Sequence, residues 1–208
     1  NVVIPEYVYK ITSEGTDKSV LYRLMWIEAF AFEENTNVTS VAFPSSIISI
    51  GDRAFSGCTE LSGELVIPNS VVEIGGSAFN GCSSLRALNL SGAASLTTID
   101  TRAFSHCTGL TGSLVIPSSV TSIGNSAFNG CSSLTGTLAI PSSVTEIGSY
   151  AFSGCAELTS LDLSGATLLT TIGEGAFSEC SNLTGSLVIP SSVVEIGGGA
   201  FNYCSNLK

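Results

Sequence analysis

Positive charge is scarce in this chain. Lys and Arg number 7 against 17 Asp and Glu, and charged residues make up only 12% of its 208 residues. The formal net charge of −10 disfavours nucleic acid, whose phosphates demand a basic face, and attraction to anionic lipid. No apolar run reaches the roughly 20 residues that a bilayer helix needs. The seven Cys include no C-x-x-C pair, so zinc-ligand spacing is missing. No D-x-D-x-D loop of the calcium-binding type appears either. A single His leaves little for acid–base catalysis. Ser is abundant enough for a Ser-His-acid triad, but nothing in the sequence positions one.

What the chain has is repetition. Phe55, Phe79, Phe104, Phe128, Phe152, Phe177 and Phe201 each follow an Ala and precede a Cys by three positions. Those cysteines are Cys58, Cys82, Cys107, Cys131, Cys155, Cys180 and Cys204. Successive members stand two dozen positions apart, with one position more between Cys82 and Cys107 and between Cys155 and Cys180. A fixed period of this size marks a solenoid, whose rungs cannot bury an apolar face alone and therefore stack. Phenyl rings and thiols should each run as a column through the interior.

One rung illustrates the rest. Leu134, Leu138, Ile140, Val144, Ile147, Ala151, Phe152 and Cys155 are its apolar positions. The alternation at Leu138-Ala139-Ile140 predicts a short strand. Pro141, which has no N–H, ends the ladder. Val144-Thr145-Glu146-Ile147 reads as a second short extended piece, and Gly148 as the residue that permits the corner after it. The segment at Ala151-Phe152 is too short for a long helix and predicts a 3₁₀-like turn.

Rungs come in three lengths. The shortest runs from Val38 to Glu60. Those of intermediate length add one residue before the strand, with Gly63, Gly112, Gly136 and Gly185 at the insertions. Glycine there predicts a bulge with positive φ. The longest rungs open at Leu85 and Leu158 and replace the proline turn by Ser91-Gly92-Ala93-Ala94-Ser95-Leu96 or Ser164-Gly165-Ala166-Thr167-Leu168-Leu169. A longer period overlies these: Leu61 recurs as Leu134, Leu85 as Leu158 and Leu110 as Leu183, always at the same offset. Three rungs are thus copied as a block, and the surface should repeat about every 14–15 Å.

The phrase, roughly L-x-x-L-x-L-P-x-S-L-x-x-I-G-x-x-A-F-x-x-C, resembles the BspA-type leucine-rich repeat of TpLRR-like proteins over residues 38–208. The resemblance implies a right-handed, curved leucine-rich-repeat solenoid with a parallel β-sheet, short second strands and 3₁₀ turns. It also implies a surface-exposed microbial protein that binds host or neighbouring-cell molecules.

Residues 1–37 fit the repeat poorly. Tyr7-Val8-Tyr9-Lys10-Ile11 predicts a strand, and the apolar stretch Val20-Leu21-Tyr22-Arg23-Leu24-Met25-Trp26-Ile27 holds the only Trp. Ile27, Ala31 and Phe32 fall where Ile50, Ala54 and Phe55 fall in the next rung. The segment is a degenerate first rung or an N-terminal cap, and an open solenoid end, with its apolar edges, favours a cap. The chain opens on Asn1-Val2-Val3 without an initiator Met and stops at Leu207-Lys208, where a new rung should begin. The expectation is a piece of a longer protein, truncated at the C-terminus.

The remaining candidates have plain readings. Neighbouring thiols about 4.8 Å apart and pointing the same way fit disulfide geometry badly, so a ladder of buried free thiols is expected. His106 stands where other rungs have Gly57, Gly81, Gly130 or Gly154, which makes it a solvated turn residue. Glu73, Glu146 and Glu195 share one rung position, but Ser122 and Thr171 interrupt the row. A solvated face is the expectation there, with weak calcium binding as the alternative. Asn37-Val38-Thr39, Asn89-Leu90-Ser91 and Asn182-Leu183-Thr184 match the glycosylation triplet, which has meaning only in a secreted eukaryotic protein. Repeated Ser and Thr raise the idea of an ice-binding face, but the mixed rung lengths disrupt the uniform ladder that such a face needs. No catalytic residue, metal or cofactor is expected.

A partner site is sought on the strand face. The residue between the two apolar strand positions points away from the core: Ala42, Val66, Asn89, Val115, Ala139, Asp162 and Val188. An exposed apolar stripe with a polar rim marks a partner site; the same small residues would also suit a tightly curved sheet. The sequence reading is a non-enzymatic binding or adhesion module, cell-surface or secreted, with a protein partner such as a host matrix protein or another surface protein. The alternative is a structural spacer or scaffold subunit, which near-identical rungs would suit.

Overall fold

A computed structural model describes residues 2–10 and 20–208. Two-residue strands stack into one parallel sheet of eight: Trp26–Ile27, Ser49–Ile50, Glu73–Ile74, Thr98–Ile99, Ser122–Ile123, Glu146–Ile147, Thr171–Ile172 and Glu195–Ile196. Register is strict, with Ile27, Ile50, Ile74, Ile99, Ile123, Ile147, Ile172 and Ile196 directly over one another. The short second extended piece of each rung therefore makes the continuous sheet, and Ile points inward because its neighbour on the strand points out.

Phenyl rings and thiols each form a column in the interior, beside the isoleucines. Phe32, Phe55, Phe79, Phe104, Phe128, Phe152, Phe177 and Phe201 stack ring on ring, with centroids 4.9–5.4 Å apart and interplanar angles of 0–11°. Offset stacking at that separation is a favoured aromatic geometry. Beside it, the seven cysteines are buried and free. Each thiol bonds a phenylalanine carbonyl from an earlier rung: Cys82 Sγ–H donates to Phe55 O at 3.2 Å, Cys131 to Phe104 O at 3.1 Å and Cys180 to Phe152 O at 3.1 Å. That contact, which spacing alone could not reveal, explains why a polarisable donor sits where an aliphatic residue would fit.

The Ala-Phe corner is a run of tight turns. Ala151 N–H, Ser153 N–H and Cys155 N–H donate to carbonyls three residues back, as a 3₁₀-like turn requires. The alternate amides, Phe152 and Gly154, donate to Ala176 and Ser178 of the next rung. Positive φ at Tyr150 (58°) and Gly154 (73°) prevents the turns from running on as a helix. Gly148 serves a different end from the one its corner position indicates. Its φ is not positive; a Cβ there would lie 2.6 Å from Asn125 N and 2.7 Å from Gly124 C. Close backbone approach between rungs, not conformational freedom, demands the glycine.

The opposite side of the coil carries longer strands, and it is not one sheet. Gly63–Val66 pairs with Leu85–Asn89, and Gly136–Ala139 pairs with Leu158–Asp162, all parallel. The register shifts at Gly63/Glu64 and at Gly136/Thr137, where both glycines have φ of 79°, so the bulges are as expected. Residues 113–116 and 186–189 form no strand; only single bridges, Gly112 to Leu134 and Gly185 to Leu207, tie these rungs. From Leu61 onward a ladder forms only where a bulged rung precedes an unbulged one. The block of three rungs thus recurs as a ladder gap every third rung, which corrects the picture of a strand running through Val115 and Val188.

At the start of the chain, Val2–Val3 pairs in parallel with Val41–Ala42, and Tyr7–Lys10 pairs antiparallel with Val20–Arg23. Ile11 and residues 12–19 lie outside the described residues. Ile27 is buried in the isoleucine column and Phe32 stacks on Phe55 at 4.9 Å, so the coil's columns begin here. Ala31, however, is exposed, whereas Ala54 is fully buried.

Candidate functional site

The outward positions of the longer strands form a row on one side of the solenoid. Val66, Val115 and Val188 are 51%, 59% and 71% exposed. Ala42, Ala139 and Asp162 are exposed as well, and Asn89 is half-buried. Val66 lies opposite Asn89, and Ala139 opposite Asp162, as ladder partners. Val3 joins the row beside Ala42 and is 74% exposed. It was not among the sequence candidates because residues 1–37 lack the repeat phrase that identifies the position.

The ladder gaps open this row into hollows. Val115, Ala139 and Asp162 line one of about 370 Å³, with Ile116 and Ile140 beneath. Val188 lines a second of about 390 Å³ against Leu163 and Pro190. Without a ladder to draw neighbouring strands to hydrogen-bonding distance, the apolar floor is partly uncovered: Leu114 and Ile116 retain 4% and 6% exposure, against 1% and 0% for Leu65 and Ile67.

Two polar members of the row are already engaged. Asn89 Oδ1 accepts from Ser91 N–H at 3.1 Å and Ser91 Oγ–H at 2.7 Å, and Asn89 Nδ2 donates to Glu64 Oε1 at 3.0 Å. Asp162 Oδ1 accepts from Ser164 N–H at 2.9 Å and Ser164 Oγ–H at 2.6 Å. The Ser164 hydroxyl and amide together hold the Asp162 carboxyl below its ordinary range. Both are Asx turns that start the Ser-Gly loop replacing the proline turn. The copied block makes this legible afterwards, since both residues stand two positions before a Ser in the longest rungs.

The other sequence candidates stay scattered. Glu73, Glu146 and Glu195 are exposed on separate strands of the eight-stranded sheet. Among the described residues no cluster of His, Cys, Asp and Glu has the makings of a metal site, and no helix is long and apolar enough to cross a membrane. The threonines beside that sheet turn their hydroxyls back into the stack. Thr97, Thr121, Thr145 and Thr170 Oγ1 donate to Val72, Thr97, Thr121 and Thr145 carbonyls at 3.0–3.3 Å.

The family model for the BspA type leucine-rich repeat region matches residues 25–113 and 97–208, with six copies. The chain belongs to this family. A leucine-rich repeat protein of T. pallidum, TpLRR, is similar at 32% identity, with a TM-score of 0.76 over 98% of this chain and 88% of that one. A leucine-rich repeat protein from Eubacterium ventriosum is similar in fold at 24% identity and a TM-score of 0.59; the match covers 85% of this chain and 40% of that one. No curated protein matches the chain by sequence at a significant level. Membership of the BspA-type family makes this a leucine-rich repeat protein of a kind commonly engaged in protein binding. The parallel solenoid, without helices among the described residues, agrees with that assignment.

Proposed function

We propose that this chain is a non-enzymatic protein-binding module of a cell-surface or secreted protein, serving in adhesion to a matrix protein or to another surface protein. The row Val66, Asn89, Val115, Ala139, Asp162 and Val188 is its contact face. The observation that carries the reading is the pair of apolar hollows at Val115 and Val188, in a row whose valines are more than half exposed. Exposed apolar groups gathered along one face, with polar residues beside them, mark an interaction site. Because Asn89 and Asp162 are held in turns, the valines and Ala139 supply the contact energy. Within residues 1–37, Val2–Val3 caps the strand Val41–Ala42, and Trp26–Ile27 with Phe32 serves as a degenerate first rung.

A second reading has a specific observation behind it. The three-rung block presents the same face twice, as a spacer or scaffold subunit would. Capture of matrix proteins by the isolated chain separates the two. Loss of capture in the double variant Val115→Glu plus Val188→Glu, with unchanged thermal unfolding, supports the binding module. Equal capture by both proteins refutes the assigned face, and no capture by the unmodified chain favours the scaffold.

A further inference from the structure

A second, polar trough lies on the Ala-Phe corner, away from the valine row. Its volume is about 440 Å³, and it runs from Glu33 and Glu34, past Arg102 and His106, to Ser126 and Asn129 four rungs on. The floor is explained by one column of left-handed residues. Glu34, Gly57, Gly81 and His106 occupy equivalent places in four successive rungs, with φ of 55°, 71°, 73° and 56°. Glu34 leans over Gly57, because a Cβ on Gly57 would lie 3.2 Å from Glu34 Cγ. Gly81 is bare: a Cβ there would meet nothing closer than the Gly57 backbone at 3.9 Å. Glu34 and His106 therefore stand about 14–15 Å apart along the stack.

Several side chains along it are unengaged. Arg53 is held by Glu33 at 3.7 Å and by the Phe30 ring at 5.8 Å. Among the described residues, however, Arg102 has no ion-pair partner, and the half-buried Ser77 and Asn80 make no side-chain hydrogen bond; Ser56 is buried at 9% exposure, and the His106 ring lies over Gly130. In a chain with so few cations, an unpaired guanidinium next to free hydroxyl and amide groups is a distinct chemical setting. Apart from Phe30 the setting lacks the apolar pockets that anchor peptides. A polyphosphate chain, charged at every unit, would set charge against Glu33 and Glu34, whereas a chain with a single acid group can keep it on Arg102 and lay neutral hydroxyls beside the carboxylates. Multiple hydroxyl partners with one anion site match a sugar chain bearing an acid.

We propose that this trough binds an acidic oligosaccharide, its carboxylate or sulfate on Arg102 and its hydroxyls on Ser77 and Asn80. This site is independent of the valine row. The test uses immobilised short oligosaccharides bearing carboxylate, sulfate or neither, with polyglutamate as a non-sugar anion. Arg102→Ser places there the residue that the same column carries at Ser77 and Ser126. Gly81→Asn fills the bare floor with a residue that tolerates positive φ. The unmodified chain should retain carboxylated or sulfated chains over neutral ones, and the pattern will tell which acid is preferred. Each variant should weaken that retention roughly tenfold or more, and Arg102→Ser should leave thermal unfolding unchanged. No retention of any acidic sugar, retention equal in both variants and the unmodified chain, or polyglutamate held as tightly as the sugars would overturn the proposal.

Discussion

Each cysteine combines two properties that pull its chemistry one way. Burial pushes the thiols of Cys131 and Cys180 from an ordinary 9.0 up to about 12, and Cys58 up to about 11; Cys155 rises well above its ordinary value for the same reason, helped by the neighbouring Cys131 and Cys180. Native thiols should therefore resist alkylation at neutral pH and react in full once the chain is unfolded, as mass spectrometry would read. The raised values also set a pH dependence. Below pH 9.0 both folded and unfolded thiols are protonated, and their contribution is fully present. Above it the unfolded chain loses protons that the folded chain keeps, so stability should fall by about 1.4 kcal/mol per pH unit for each of Cys131 and Cys180, up to a pH of about 12. Thermal unfolding against pH would show a plateau and then a steep alkaline decline. The phenyl column gives a second residue-level prediction. Phe128→Ala should cost about 3–5 kcal/mol in denaturant unfolding, whereas Phe201→Ala should cost less, because that ring is only partly buried and stacks on one side alone.

At the scale of the rung, the two extended pieces have unequal support. The two-residue strands around Ile147 are laddered on both sides, and threonine hydroxyls reinforce them. The longer strands are laddered in pairs, and residues 113–116 and 186–189 have no backbone partners there among the described residues. Amide exchange follows local opening, so these two stretches should exchange much faster than the amides of Ile67 and Ile140, which donate to Asn89 and Asp162 of the next rung, in mass spectrometry or by NMR. Gly148→Ala acts at the same scale. Its methyl would press on the backbone of the preceding rung, and a cost of about 1–3 kcal/mol is expected in thermal unfolding.

At the scale of the molecule, stacking makes the protein quasi-one-dimensional, with each rung held by its neighbours. The phenyl and isoleucine columns run unbroken from Ile27 and Phe32 to the last rung. Two faces then differ in kind: an apolar row interrupted by hollows, and a polar trough with carboxylates at one end and Arg102 further along it. Different partners on the two faces would leave the core untouched, which is why surface variants such as Arg102→Ser and Val115→Glu separate binding from folding.

The repeat alone determined the solenoid, the buried thiols, the phenyl column and the bulges at Gly63 and Gly136, because each follows from one residue recurring at one place in a coil of fixed length. The outward row was legible too, since strand alternation dictates which side chain leaves the core. Tertiary structure decided what depends on contact between rungs or on local turn geometry. The thiol bonds to phenylalanine carbonyls, the backbone crowding at Gly148 and the ladder gaps at Val115 and Val188 join, or fail to join, atoms on different coils. The Asx turns at Asn89 and Asp162 depend on how the backbone bends at one loop. The trough is the clearest case: Glu34, Gly81 and His106 share a column in space, and only the stacking of their rungs makes that column a surface.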